Sequence, residues 1–329
     1  MAEELQERTY AQALGEALRE EMARDPNVVA YGEDFRLGYV WPVSRGLVEE
    51  FGEQRVLDAP LSEQMQVGLA VGAALAGVRC VVEVQYSDFA MLAMDEIVNQ
   101  AAKLCYMTGG QATTGMVVRL PYGHLRNYGA QHSQTLYGMF AHVPGLRVAV
   151  PATAADAKGL LKSAVRCGDP VVFFEHKRLY NVKGMVPAGD DTLVPFGEAA
   201  VLREGSDVTI IAIGLMVGRA LEAADALASE GIEVTVIDPR TLVPLDLATL
   251  VASVERTGRL LLVDEAVTRG GFAGHLAAEI TQRAFDLLEA PPRRLGVPAV
   301  PMPYSPELED SLIPAVDDIC SAVRDLVAY

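Results

Sequence analysis

Residues 55–89 read RVLDAPLSEQMQVGLAVGAALAGVRCVVEVQYSDF, and the order of elements in this stretch decides the fold class. Arg55 to Ala59 has the apolar run of a short strand, Pro60 makes a turn, a helix carries Glu63, and a second strand runs into the turn Ser87-Asp88-Phe89. Ser62, or the turn residues beside it, is placed to cap that helix, which puts Glu63 in the first turn facing orphan backbone N–H groups. By position alone, an acidic residue there complements the helix dipole. Beyond it the helix is uncharged from Val67 to Ala76, so it reads as apolar all round and buried on every side. A carboxyl at its mouth is then partly desolvated. Gly68, Gly72 and Ala76 recur every four residues as a flat stripe for close approach by another helix, at a propensity cost of about 1 kcal/mol per glycine.

The chain has 329 residues, enough for about two domains. Half of them are apolar, ample for a sizeable core, and 27 basic against 44 acidic residues leave a formal charge of −17. Such a balance argues against a general nucleic-acid surface and suits a basic protein partner. Cys80, Cys105, Cys167 and Cys320 show no CxxC or Cys/His ligand spacing, so neither a zinc site nor a disulfide framework is indicated. Glu3, Glu4, Glu7 and Arg8 crowd the start and no run of 18 apolar residues occurs, so no membrane contact is expected and the expected location is cytoplasmic.

Along the chain, Tyr10 to Arg24 reads as an amphipathic helix with Ala13, Leu14, Ala17, Leu18 and Met22 on one face. Val28 to Tyr31 is a strand, and Gly32-Glu33-Asp34 ends it in what reads by itself as a solvated turn. Asp88 to Met107 reads as one long helix. Gly115 to Leu120, Leu146 to Pro151 and Val171 to Glu175 read as strands, with a helix from Ala154 to Arg166. The rhythm repeats after Pro, Ala, Gly and paired Asp at 187–191, with strands at 208–214, 234–237 and 260–264 and helices between them. Continuous apolar strands alternating with helices mean parallel sheets covered on both faces. The expected fold is α/β with two doubly wound domains: residues 1–188, a linker over 189–202, and a smaller domain over 203–329.

Several motifs come in one order: Pro60-Leu61-Ser62-Glu63, Gly68-Leu69-Ala70-Val71-Gly72, Asp88-Phe89, Asn99 to Lys103, Tyr106 to Gln111, and Gln131-His132-Ser133-Gln134. Together they resemble the beta subunit of the thiamine-diphosphate-dependent first component of 2-oxo acid dehydrogenase complexes, over essentially the whole chain. The resemblance implies an aminopyrimidine-binding first domain and a transketolase-like carboxyl-terminal domain. It also implies that Glu63 is the carboxyl that hydrogen-bonds the aminopyrimidine and activates the cofactor, a task that needs a proton shared near neutrality. Phe89, 26 residues further on, is then the aromatic that stacks on that ring. His132 faces the substrate and handles a proton there, as an imidazole's pKa permits. His124 and Arg126 lie in the same loop, within possible reach of substrate. A potassium ion on the main-chain carbonyls of Met116, Ala164, Val165, Cys167 and Asp169 is implied as well.

The chain has no Gly-Asp-Gly motif to present magnesium to a diphosphate. The resemblance therefore implies that magnesium and the diphosphate are held by an alpha subunit in an α2β2 heterotetramer, with the glycine-striped helix a candidate contact. It implies a lipoyl-bearing acyltransferase component as a further partner, and a small-molecule substrate: pyruvate, a branched-chain 2-oxo acid or acetoin. Arg269 to Gly274, glycine-rich before a helix, lacks the spacing of a phosphate loop and reads as structural. Two other readings stand beside the main one. A transketolase-like half acting on sugar phosphates would want a basic cluster near His132, and a non-catalytic scaffold would show no activity even with an alpha chain.

Overall fold

The computed structural model describes residues 5–38, 40–189 and 192–329. Glu3 and Glu4, Tyr39 in the loop after the first acidic pair, and Asp190 and Asp191 of the expected linker lie outside the described residues. The chain divides into two compact units: one runs up to Tyr122 and resumes over Met139–Phe196, the other comprises Gly123–Gly138 and Gly197–Tyr329. Thus the loop carrying His132 belongs to the second unit, although it follows a strand of the first.

In the first unit the elements are β1 (Leu5–Thr9), α1 (Tyr10–Arg24), β2 (Val28–Gly32), α2 (Leu47–Phe51), β3 (Val56–Asp58), α3 (Glu63–Leu75), β4 (Arg79–Glu83), α4 (Ala102–Met107), β5 (Val117–Tyr122), β6 (Arg147–Ala149), α6 (Ala154–Arg166), β7 (Val171–His176) and β8 (Lys183–Pro187), with a short helix α5 (Tyr137–Ala141) at the second crossing. Strands β6-β7-β5-β4-β2-β3 lie side by side, every pairing parallel. Their residues are almost all buried, as a sheet covered on both faces requires. A capping box between Thr9 and Gln12 starts α1, whose expected apolar face is buried. Thr153 caps α6 by accepting from the Asp156 N–H at 3.1 Å. The two helices lie together, with Glu20 bridging Lys158 and Lys162 at 2.6 Å.

Two expectations fail here. The long helix over 88–107 is helical throughout but not of one kind: a 3₁₀ stretch over Ser87–Ala93, a wider π-helical stretch over Glu96–Ala101, then α4. Apolar spacings of three to five residues do not discriminate among these windings. The second concerns α3, which is not buried on every side. Val67, Ala70, Val71 and Ala74 face the core, whereas Leu61 is 82% and Leu69 50% exposed, with Met65, Gly72 and Leu75 on the same stripe. Composition called for apolar cover without saying which polypeptide provides it.

The second unit holds β9 (Ala200–Arg203), β10 (Val208–Ala212), α7 (Met216–Ala228), β11 (Val234–Asp238), β12 (Thr241–Val243), α8 (Leu247–Thr257), β13 (Leu260–Val267), α9 (Phe272–Ala284), β14 (Arg293–Val297), α10 (Pro306–Leu312) and α11 (Val316–Val327). Its sheet runs β14-β13-β10-β11-β9, parallel except for the edge strand β9. Asp246 caps α8, accepting from the Thr249 N–H at 3.1 Å, and Gly258 ends it in the left-handed conformation that glycine adopts without strain. Among the described residues, no helix is long and apolar enough to cross a membrane.

The first sheet hides a charged cluster. Arg119, on β5, is wholly buried; it donates to both oxygens of Glu175 on β7 at 2.6 and 2.7 Å and to Glu83 on β4 at 2.7 Å. The Tyr180 hydroxyl completes it, donating to Glu175 at 2.7 Å. Burial works against the arginine's charge, but the two carboxylates outweigh it and hold the guanidinium above its ordinary value. Arg119→Met is expected to lower unfolding free energy by about 3–5 kcal/mol in urea titration, because it leaves two buried carboxylates without a counter-charge.

Candidate active site

Parallel strands bring their following loops to one edge of the sheet, and the registers Gly32↔Asp58 and Gly32↔Glu83 align the ends of β2, β3 and β4. Glu33, Glu63 and Phe89 all lie on segments leaving that edge. Glu63 is the first residue of α3 and is half-buried. Ser62 makes no side-chain cap, contrary to expectation. The helix start is held instead by Gln66, whose buried amide donates to Glu33 Oε1 at 3.1 Å and to the Pro60 carbonyl at 2.9 Å, while the Tyr31 hydroxyl donates to the Gln66 carbonyl at 2.6 Å.

Glu33 is therefore not a freely solvated turn residue. Burial raises its pKa, the Gln66 hydrogen bond works the other way, and the nearby charges of Glu63 and Asp34 raise it further. Two acidic groups thus come within electrostatic reach of each other at a partly buried edge.

Phe89 sits in the 3₁₀ stretch after β4, and α3 packs against that stretch. Its ring lies 6.4 Å from that of Tyr86, which meets Trp41 edge-on at 5.8 Å; Trp41 in turn lies 4.8 Å from Tyr180. Phe89 thus continues an aromatic row and is itself half-buried. Carboxyls and an aromatic ring on segments leaving one sheet edge are the chemical groups that an aminopyrimidine would call on.

His132 lies in the second unit and is half-buried, its ring 6.4 Å from that of Tyr128, with its N–H donating to the Gly129 carbonyl at 3.4 Å. His124 does not lie open to substrate. It is buried, and both its main-chain N–H and its Nδ1 meet Glu265 Oε1, at 2.8 and 2.7 Å. Arg126 is exposed and pairs with Asp310 at 2.7 Å.

The five residues expected to ligate potassium gather around the end of α6, but the chain's own cation is already there. Arg79 Nη1 donates to the carbonyls of Val165 and Cys167 at 3.0 and 3.1 Å. The carbonyls of Met116 and Ala164 accept from Val171 and Cys167 N–H groups, and the Asp169 carboxylate pairs with Arg147. With a guanidinium on two of its carbonyls the set does not fit a second cation as it stands. Gly271, in the stretch that resembles a phosphate loop, is packed so that a Cβ would come 2.5 Å from the Val267 carbonyl, which agrees with a structural role for that turn.

Comparison with known proteins shows the family. The description "transketolase, pyrimidine binding domain" matches residues 6–183, and "transketolase, C-terminal domain" matches residues 197–319. The beta subunit of acetoin:2,6-dichlorophenolindophenol oxidoreductase from Cupriavidus necator is 47% identical over 323 residues, covering 95% of each chain. The 2-oxoisovalerate dehydrogenase beta subunit from Bacillus subtilis is 43% identical over 98% of this chain and 99% of that one. The pyruvate dehydrogenase beta subunit from Rickettsia felis is 42% identical over 98% of each. This chain belongs to the beta subunits of the 2-oxo acid and acetoin dehydrogenases. A solved split-gene transketolase, described as an inactive beta4 tetramer, superposes with a TM-score of 0.77 at 26% identity, over 97% of this chain and 98% of that one. The beta subunit therefore has the two-domain transketolase-type fold.

Sequence reasoning missed the beta subunit's Gln66, whose one signal is a polar residue immediately before the uncharged run of α3. It also missed the carboxyls at the end of β13. Asp264 there is buried, accepting from the Tyr137 hydroxyl and from the Ala266 N–H at 2.9 Å. Burial pushes its pKa up to about 6 from 3.8, against the pull of those hydrogen bonds. A raised carboxyl stabilises the fold fully below its unfolded value and loses that contribution as pH rises through its folded one, a swing of about 3 kcal/mol. Asp264→Asn is expected to remove the swing: the wild-type advantage over the variant in urea titration shrinks by roughly that amount between acid and neutral pH.

Proposed function

We propose that this beta subunit supplies the activating half of a thiamine-diphosphate site, with Glu63 hydrogen-bonding the aminopyrimidine and Phe89 stacking on it. When bound, thiamine diphosphate supplies the nucleophilic carbon and the electron sink needed to cleave the carbon–carbon bond of a 2-oxo acid or of acetoin. The observation that carries the reading is the Glu63 carboxyl at the mouth of α3, within electrostatic reach of Glu33 and on a helix packed against the Phe89 turn. Burial and the charge of Glu63 raise the Glu33 pKa at that edge, and Gln66 donates to its carboxyl there.

His132 serves the proton transfers of the second half-reaction. As the disulfide of a lipoyl group opens, one sulfur takes the acyl group and the other takes a proton from the imidazole. The lipoyl group belongs to an acyltransferase component whose basic binding region suits a chain of charge −17.

An alpha subunit holds magnesium and the diphosphate, because this chain has no Gly-Asp-Gly to do so. The exposed stripe Leu61, Met65, Leu69, Gly72 and Leu75 is the apolar face that such a partner covers in an α2β2 assembly. The sugar-phosphate alternative is disfavoured by the His132 loop, where Arg126 already pairs with Asp310 and His124 with Glu265.

Co-expression with the alpha chain is expected to yield an enzyme that reduces dichlorophenolindophenol with pyruvate, a branched-chain 2-oxo acid or acetoin. Glu63→Gln should lower that turnover roughly a hundred- to ten-thousand-fold without dissolving the complex; unaltered turnover would refute the role of Glu63, and no turnover on any of the substrates would leave the scaffold reading standing. Leu69→Arg is expected to leave the beta chain folded by circular dichroism and to abolish its co-purification with alpha. Retained co-purification would remove α3 from the interface.

A further inference from the structure

The loop that carries His132 is long, polar and mostly without regular structure, yet a residue that delivers a proton must be held to a fraction of an ångström. What holds it lies on one strand. Eight residues before His132, His124 places its N–H and its Nδ1 on the same oxygen of Glu265, at 2.8 and 2.7 Å. Five residues after it, the Tyr137 hydroxyl donates to Asp264. Asp264 and Glu265 are consecutive residues near the carboxyl end of β13, and all four side chains are buried.

The register of β13 against β14 shifts between Val263 and Val267, and an irregularity of that kind re-aims side chains; Asp264 and Glu265 lie in this segment and reach the two ends of the loop. The loop is also closed on itself, since the Gly123 N–H donates to the Gln134 carbonyl at 3.4 Å. The exposed Arg126–Asp310 pair adds little to this, as solvent-exposed ion pairs contribute about 0–1 kcal/mol.

We propose that Asp264 and Glu265 are positioning residues for the reaction, gripping the loop through Tyr137 and His124 at its two shoulders and so setting where His132 presents its imidazole. Neither carboxyl touches the reacting atoms. A buried hydrogen bond to a carboxylate is stronger than a neutral one, and two of them from adjacent residues of β13 tie both ends of the segment to one element. This rests on the reading of His132 as the proton donor to the lipoyl sulfur, so the test separates the two claims.

The α–β holoenzyme is assayed in two ways, with dichlorophenolindophenol as acceptor, which bypasses the lipoyl group, and with the lipoylated acyltransferase domain as acceptor. Tyr137→Phe, which removes one oxygen, and Glu265→Ala are expected to lower transfer to the lipoyl domain at least tenfold more than they lower dye reduction. Glu265→Gln, which keeps an acceptor oxygen for the His124 N–H, should restore most of it. Hydrogen exchange of residues 123–138 in the holoenzyme should rise in Tyr137→Phe.

His132→Ala serves as the reference. If it leaves lipoyl transfer intact, the role of His132 falls. If it impairs transfer while Tyr137→Phe leaves transfer and loop exchange as in the wild type, the positioning proposal is overturned. Equal loss in both assays would overturn it too, since that is the signature of a merely structural contact; should Glu265→Ala fail to fold, Tyr137→Phe carries the decision alone.

Discussion

A single buried amide governs the amino end of α3, and the first unit's candidate site depends on it. Gln66 lies at the boundary between the polar start of the helix and its uncharged body, where an unpaired amide would cost about 1–3 kcal/mol. It reaches back to the Pro60 carbonyl and across to Glu33, while its own carbonyl receives the Tyr31 hydroxyl. These bonds anchor the start of a helix that has no side-chain cap, without themselves accepting from its first N–H groups. They also bring an acidic loop from β2 within range of Glu63, so that the pinning of a helix and the electrostatics of a site are one arrangement.

The same economy of position recurs on the sheet itself. Arg119 spans three neighbouring strands, β4, β5 and β7, and its two carboxylates answer its charge where water cannot. Such a cluster is weak evidence for stability beyond what an apolar core would provide, but it makes register slippage costly, since a one-residue shift would bury the ions without partners. The strand ends that carry Glu33 and the Phe89 turn are thereby held in alignment at the sheet's carboxyl edge.

In the second unit, the loop from Gly123 to Gly138 shows how a chain can leave one body and be held by another. Its shoulders are fixed to Asp264 and Glu265, and burial raises the pKa of Asp264 to about 6. His124, which composition would place among solvent-facing loop histidines, is instead interior and serves as an anchor. The carbonyls around the end of α6 show a similar capture: Arg79 donates to two of them, those of Val165 and Cys167.

Much of the architecture was legible in the residues themselves. Continuous apolar strands separated by amphipathic helices point to a covered parallel sheet, the limits of α1 and α6 follow from their apolar spacing, and the ordered motifs around Glu63, Phe89 and His132 identify the family. These are properties of local periodicity and of residue identity, which a linear chain displays without folding. The winding of 87–107, the open stripe of α3, the grip of Gln66 on Glu33, and the pairing of His124 with a glutamate 141 positions away were settled only by the folded chain. Each depends on which distant group arrives beside a side chain and on whether water is excluded when it does, and neither quantity is carried by sequence spacing.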